Sequence, residues 1–194
     1  MKWTLPNILT LLRIVLIPVL VIVFLMHGRY SYQLSAVIFG LAAITDWLDG
    51  YFARRLKQLS VFGAFLDPVA DKLMVAVALV LLVQDNPTAL FAVPASIIIG
   101  REIAISALRE WMSEIGERTR VAVSVIGKIK TITQMVAILL LLYKVPIGPL
   151  PTHEVGVILL YIAALLTLWS MLVYLQAAWP ILSGSPGQDR AGDA

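Results

Sequence analysis

Six apolar runs divide this 194-residue chain almost end to end, and they leave it few folds to choose from. They cover roughly Asn7–His27, Tyr30–Lys57, Leu66–Gln84, Thr88–Gly116, Val125–Lys144 and Val155–Ala178. A helix needs about 20 residues to cross a hydrocarbon layer, so the runs predict six spanning helices. The chain is 60% hydrophobic and 14% charged, with a mean hydropathy of +0.90. A soluble domain is nearer 45–50% apolar and about 25% charged. The expected fold is therefore an all-α integral membrane bundle. Cysteine is absent, which excludes disulfides, thiol nucleophiles and cysteine-bound metal, and leaves helix packing to supply stability. A net charge of +3, spread along the chain, does not suggest nucleic-acid binding.

Charge and turn residues break the runs. His27-Gly28-Arg29 and Asp85-Asn86-Pro87 read as short turns, and Pro146-Ile147-Gly148-Pro149-Leu150-Pro151 as a rigid loop. No internal repeat or linker divides the chain, so a single domain is expected over 1–180, followed by a polar, disordered tail over 181–194. The basic start and first apolar run raise the question of a cleaved leader. Arg13 within the run and the lack of a small-residue motif after Met26 argue against one. The start reads instead as an amphipathic segment leading into the first span. Basic residues orient the bundle: Arg29 and Lys144 fall on one side, and the other thirteen of 15 on the opposite side. Both termini are thus expected in the cytoplasm.

Against this background stands Asp46–Asp71, DWLDGYFARRLKQLSVFGAFLDPVAD. Asp46 and Asp49 are three apart and Asp67 and Asp71 four apart, so on helices each pair shares a face about one turn apart. Tyr30 to Asp46 is about 24 Å of helix, which puts the acids near the cytoplasmic boundary of a layer about 30 Å thick. Four carboxylates in a low-dielectric setting repel, and hard divalent cations with oxygen ligands are the natural way to hold them together. Gly50, Ala53 and Arg54 continue the stripe of Asp46. Small residues there permit either helix packing or close approach of a ligand. Asp67 before Pro68 can also be read as a helix N-cap, a reading that does not reach Asp71.

The pattern D-x-x-D-G-x-x-A-R, then G-x-x-x-D-x-x-x-D, is the signature of the CDP-alcohol phosphotransferases. The chain resembles that family at Asp46, Asp49, Gly50, Ala53, Arg54, Gly63, Asp67 and Asp71. The resemblance extends to Leu5–Thr10 with Arg13, Phe62–Lys72, Arg101–Trp111 and Gly127–Thr131, and covers about residues 4 to 178. It implies a six-helix membrane enzyme of the bacterial cytoplasmic membrane, usually a homodimer. Such an enzyme uses Mg²⁺ or Mn²⁺, two ions, to transfer a phosphatidyl group from CDP-diacylglycerol to sn-glycerol 3-phosphate, releasing CMP. By the same resemblance Asp46, Asp49, Asp67 and Asp71 hold the metal and Asp71 is the base. Asp46, Gly50, Ala53, Arg54 and Gly63 would border the CDP moiety.

A doubly charged acceptor phosphate needs cations. Arg101 and Arg109, eight apart on one helical face, and Lys128 at the start of the next helix are the candidates, supported by the resemblance. The competing reading of Arg101, Arg109, Lys128 and Lys130 is anchoring at the cytoplasmic surface, with Glu102 and Glu110 as partners for the arginines. Asn7, Thr10 and Arg13 are candidates to line the cavity. Rival functions are a cation- or proton-coupled transporter, an isoprenoid-transferring enzyme with paired aspartate motifs, and a family member using inositol phosphate, serine or phosphatidylglycerol as acceptor. A transporter would place its acids near the midplane, usually with a repeated half. The isoprenoid enzymes would not be expected to carry the D-G-x-x-A-R extension.

Overall fold

The computed structural model describes residues 5–56, 61–115 and 125–182. It is all-helical there: α1 Leu5–Leu25, α2 Ser31–Leu56, α3 Val61–Asp85, α4 Ala89–Glu114, α5 Val125–Tyr143 and α6 Thr152–Leu182. The only β pairing among the described residues is one isolated bridge between Ile147 and Leu150, in the loop before α6. Gly148 sits in that loop at φ +58°, a backbone conformation glycine adopts without cost.

The helix bounds refine the sequence reading in three places. The segment expected as a separate amphipathic lead-in is continuous with the first span, since α1 runs unbroken from Leu5. Asp67 does not cap a helix: α3 begins at Val61, and Pro68 lies inside it. Proline removes the N–H that would reach the Ala64 carbonyl. Membrane helices tolerate this where neighbours re-satisfy the backbone, and α1 and α4 also carry internal prolines, Pro18 and Pro94. The last helix continues through Pro180 to Leu182, and the expected tail from 183 onward lies outside the described residues.

Three helical stretches are long and apolar enough to cross a membrane: Asn7–Leu25, Ala89–Glu114 and Thr152–Trp179. Helix α5 offers the shorter apolar stretch Ile129–Tyr143. The outer surface is apolar, with Ile22, Val37, Val80, Ile132, Leu165 and Trp169 all exposed. Such a surface suits lipid rather than water.

Helix pairings close a ring in the order α1, α2, α5, α6, α4, α3, with α3 also touching α2 and α5 across it. The most extensive contact joins α5 and α6, where a Cβ on Gly156 would lie 2.8 Å from Leu141 Cγ. Only glycine allows that approach. The ring has two unlike halves. Leu20, Phe24, Phe39, Leu79, Phe91, Ile138 and Leu160 form an apolar core at the end bearing the turns after α1, α3 and α5. The buried charged and amide side chains Arg13, Arg101, Lys130 and Gln134, with Thr10, gather toward the other end, while the buried hydroxyls Ser31, Ser35 and Thr152 lie at the first.

The apolar end is tied by one polar knot. Lys144 Nζ donates to Asp85 Oδ2 at 2.7 Å and the Tyr32 hydroxyl to Asp85 Oδ1 at 2.9 Å, which links α2, α3 and the end of α5. Lys144 also lies 4.3 Å from the centre of the Tyr32 ring. Partial burial works against its charge, but the hydrogen bonds with Asp85 and Tyr32 outweigh it and hold the ammonium above the ordinary lysine value. A raised folded-state value means the stabilisation is complete below the unfolded pKa of about 10.4 and is lost as pH rises through the folded one. Lys144→Met should therefore lower the thermal midpoint in detergent by a similar amount at neutral and mildly alkaline pH. The difference should shrink only as pH rises past the ordinary lysine value and through the raised folded one; a gap that persists once the lysine is neutral would contradict the assignment.

Candidate active site

Three helices deliver the acids and the groups behind them. Asp46 lies ten residues before the end of α2 at Leu56, and Asp67 and Asp71 lie one turn apart in the first half of α3. Helix α1 runs alongside both and presents Thr10 and Arg13, three apart and so on one face. The Thr10 hydroxyl donates to Asp67 Oδ1. Arg13 Nη1 donates to Asp71 Oδ1 at 2.8 Å and lies 3.2 Å from Asp46 Oδ1. The Arg13 side chain is 1% exposed, whereas those of Asp46 and Asp71 are 39% and 43% exposed. The cation thus forms the floor, and the carboxylates keep their other sides open.

Those open sides face a cavity of about 380 Å³, lined by Asp46, Asp67, Asp71, Glu102, Lys130 and Gln134 among others. Acids from α2 and α3 form one wall, and α4 and α5 bring Glu102 and Lys130 to the other. Lys130 Nζ donates to Glu102 Oε1, which also accepts from Arg101 Nη1 at 3.1 Å. Arg101 is buried and donates through Nη2 to Ser170 Oγ at 2.7 Å, on α6. Arg109 donates to the Tyr174 hydroxyl. The guanidinium carbons of Arg101 and Arg109 lie 5.6 and 4.8 Å from the centre of the Tyr174 ring, within cation–π range.

The structure therefore gathers Asp46, Asp67 and Asp71 around one cavity and puts Arg101 and Arg109 on one face, as their eight-residue spacing predicts. The side chains of Asp49, Gly50, Ala53, Arg54 and Lys128 lie outside the described residues. Gly63 is buried in the first turn of α3. Among the described residues, no three acidic or histidine side chains converge closely enough to hold one ion. The donor set on the acid wall is nevertheless carboxylate oxygen throughout, with open faces, which suits a hard divalent cation.

Lys130 was not among the residues expected at the acceptor site, yet the structure places it on the cavity wall. Ser170, Tyr174 and Gln134 were not singled out. The available signal was spacing: Lys130 and Gln134, and likewise Ser170 and Tyr174, are polar pairs four apart on largely apolar helices.

The family model for CDP-alcohol phosphatidyltransferase matches residues 3–169. Curated relatives named CDP-diacylglycerol–glycerol-3-phosphate 3-phosphatidyltransferase include one from Salmonella choleraesuis (strain SC-B67). It is 52% identical over 178 residues, covering 92% of this chain and 96% of the relative. Similar proteins of the same name occur in Shigella flexneri, at 52% identity, and Escherichia coli (strain K12), at 51%, with the same coverage.

The floor cation yields a test independent of turnover. Arg13→Gln should destabilise the protein in divalent-free detergent by about 1–3 kcal/mol, less than a fully buried pair because both carboxylates meet the cavity. Added Mg²⁺ should recover more stability in the variant than in the wild type. An unchanged thermal midpoint would contradict a structural role for the Arg13 contacts.

Proposed function

The chain belongs to the CDP-alcohol phosphatidyltransferase family, and we propose that it converts CDP-diacylglycerol and sn-glycerol 3-phosphate to phosphatidylglycerophosphate and CMP. One observation carries the reading from the structure: acids on α2 and α3 face Lys130 of α5 across a single cavity, beside Glu102 of α4, which Lys130 shares with Arg101. A phosphorylated alcohol needs that polarity, with its phosphate held by cations and its hydroxyl turned toward carboxylates. The names of the relatives supply the two substrates.

On this reading Asp46, Asp49, Asp67 and Asp71 hold divalent metal, Mg²⁺ or Mn²⁺, as two ions. When bound, the metal supplies positive charge against the donor's pyrophosphate and the charge that develops on departing CMP. Gly50, Ala53, Arg54 and Gly63, with Asp46, border the CDP moiety, and Arg54 pairs with its phosphates. Arg101, Arg109 and Lys128 bind the acceptor phosphate, and Lys130 joins them from the cavity wall. The acceptor's primary hydroxyl oxygen attacks the phosphorus that carries diacylglycerol. The bond from that phosphorus to the oxygen of the CMP phosphate breaks, and CMP departs with the electron pair. Asp71 takes the hydroxyl proton. Arg13 steadies Asp71 from behind, and Thr10 does the same for Asp67. Both are positioning residues.

The cellular setting follows from the same reading. The protein forms six spans as one membrane domain over 1–180, a homodimer in the bacterial cytoplasmic membrane. Its termini and acid-lined cavity face the cytoplasm, where the water-soluble acceptor and CMP are exchanged. The lipid donor enters from the bilayer.

The deciding assay is CMP release from CDP-diacylglycerol by purified protein with Mg²⁺. Glycerol 3-phosphate, inositol phosphate, serine and phosphatidylglycerol are offered in turn. Turnover with glycerol 3-phosphate alone is expected. Turnover with a different acceptor would overturn the acceptor pocket, and no CMP with any acceptor would return the transporter reading. Asp71→Asn should reduce turnover by at least about 100-fold, the usual scale for a lost general base. Lys130→Gln should raise KM for glycerol 3-phosphate while changing KM for CDP-diacylglycerol little; equal effects on both would remove Lys130 from the acceptor site.

A further inference from the structure

Glycerol 3-phosphate presents three features to a protein: a phosphate, a primary hydroxyl that reacts, and a middle hydroxyl that does not. The cations and Asp71 account for the first two. Recognition of the third calls for a neutral group that both accepts and donates hydrogen bonds, because a second charge there would disturb the first two. Among the described residues, Thr131 and Gln134 are the neutral hydrogen-bonding side chains on the cavity. The Thr131 hydroxyl already donates to the Gly127 carbonyl at 3.0 Å, and the residue is exposed.

Gln134 is different. It is 4% exposed, and its Oε1 has no hydrogen-bond partner among the described residues. A buried amide oxygen left in that state costs free energy that a passing lipid chain cannot return, whereas a hydroxyl in the cavity can. Its position also fits. Gln134 follows Lys130 by four residues, so both lie on one face of α5 about one turn, some 5–6 Å, apart. That is the scale of the distance between the phosphate and the carbinol groups of a glycerol phosphate. Gln134 stands nine residues into α5, and Asp71 ten residues into α3, each counted from the helix end nearest the polar half of the bundle. Gln134 and Asp71 therefore stand at similar depth on two walls of the cavity, with Lys130 one turn nearer the polar end.

We infer that Gln134 binds the middle hydroxyl of the acceptor and makes the enzyme selective for a vicinal diol phosphate over a simple hydroxyalkyl phosphate. The inference rests on the acceptor being glycerol 3-phosphate, as proposed above. No bond is made or broken at this residue, which acts by binding alone.

The test compares glycerol 3-phosphate with 3-hydroxypropyl phosphate, which keeps the phosphate and the primary hydroxyl but lacks the middle one. Wild-type protein should prefer glycerol 3-phosphate by roughly tenfold to a hundredfold in kcat/KM. Gln134→Met keeps the length of the side chain without its hydrogen bonds. It should lose most of that preference while still turning over 3-hydroxypropyl phosphate at the wild-type rate, which also shows that the variant is folded. Gln134→Glu keeps the acceptor oxygen but adds a negative charge. It should retain the preference while raising KM for both phosphates alike. If Gln134→Met loses activity equally on both acceptors, or on neither, the inference is overturned. Wild-type protein that turns over neither acceptor would instead overturn the functional reading itself.

Discussion

A guanidinium that is 1% exposed lies against two carboxylates from two other helices, and the polar half of this bundle is arranged around that contact. Alone, Arg13 in an apolar helix would be costly to bury, and two acids brought together in a low-dielectric bundle would repel. Each problem offsets the other. At 2.8 and 3.2 Å the arginine neutralises Asp71 and Asp46 from the buried side, and the carboxylates keep part of their hydration through the cavity. The same contact ties α1 to α2 and α3, and Thr10, one turn earlier on α1, ties Asp67 into the set. Helix register and site geometry are therefore one constraint.

The division of the bundle into an apolar and a polar half follows from it. Apolar side chains close the end around Phe39, Leu79 and Ile138, where no ligand has to enter. At the other end, the buried cations Lys130 and Arg101 have partners that spare them burial as isolated charges. Lys130 and Arg101 share Glu102, while Arg101 and Arg109 share the face of Tyr174. Tyr174 and Ser170 explain why α6, otherwise the most uniformly apolar partner, belongs to the site: they hold the arginines of α4 in place from the far side. The proposed chemistry uses this rigidity, since transfer between two phosphate-bearing substrates depends mainly on position and on charge already in place.

Much of this was legible in the sequence because the governing patterns are local. The apolar runs marked all six helices to within a few residues, and the aspartate spacing paired Asp67 with Asp71 on one face, while the resemblance to the family implied that Asp46 joins them. Three features were not legible, for identifiable reasons. Pro68 resembled a helix start because proline usually ends or begins helices in water, yet here α3 runs through it. The inward placement of Lys130 was hidden because a lysine near a helix start reads equally well as an anchor at the membrane surface. The buried stripe Lys130, Gln134, Ile138 and Leu142, at four-residue steps, is apparent only against the neighbouring helices. Tyr174 was invisible because an aromatic residue in an apolar run reads as core, and its role comes from two arginines on another helix.

The central claim is that one cavity holds metal at its acid wall and the acceptor phosphate at its cationic wall. It is tested most directly by a crystal structure of the protein with Mn²⁺ and glycerol 3-phosphate, read by anomalous scattering at the manganese edge. The account predicts manganese peaks bounded by Asp46, Asp67 and Asp71, with the acceptor phosphorus in the same cavity beside Lys130 and Arg101. Manganese bound elsewhere, or an acceptor phosphate seated away from the Lys130 wall with the acid site filled, would contradict it.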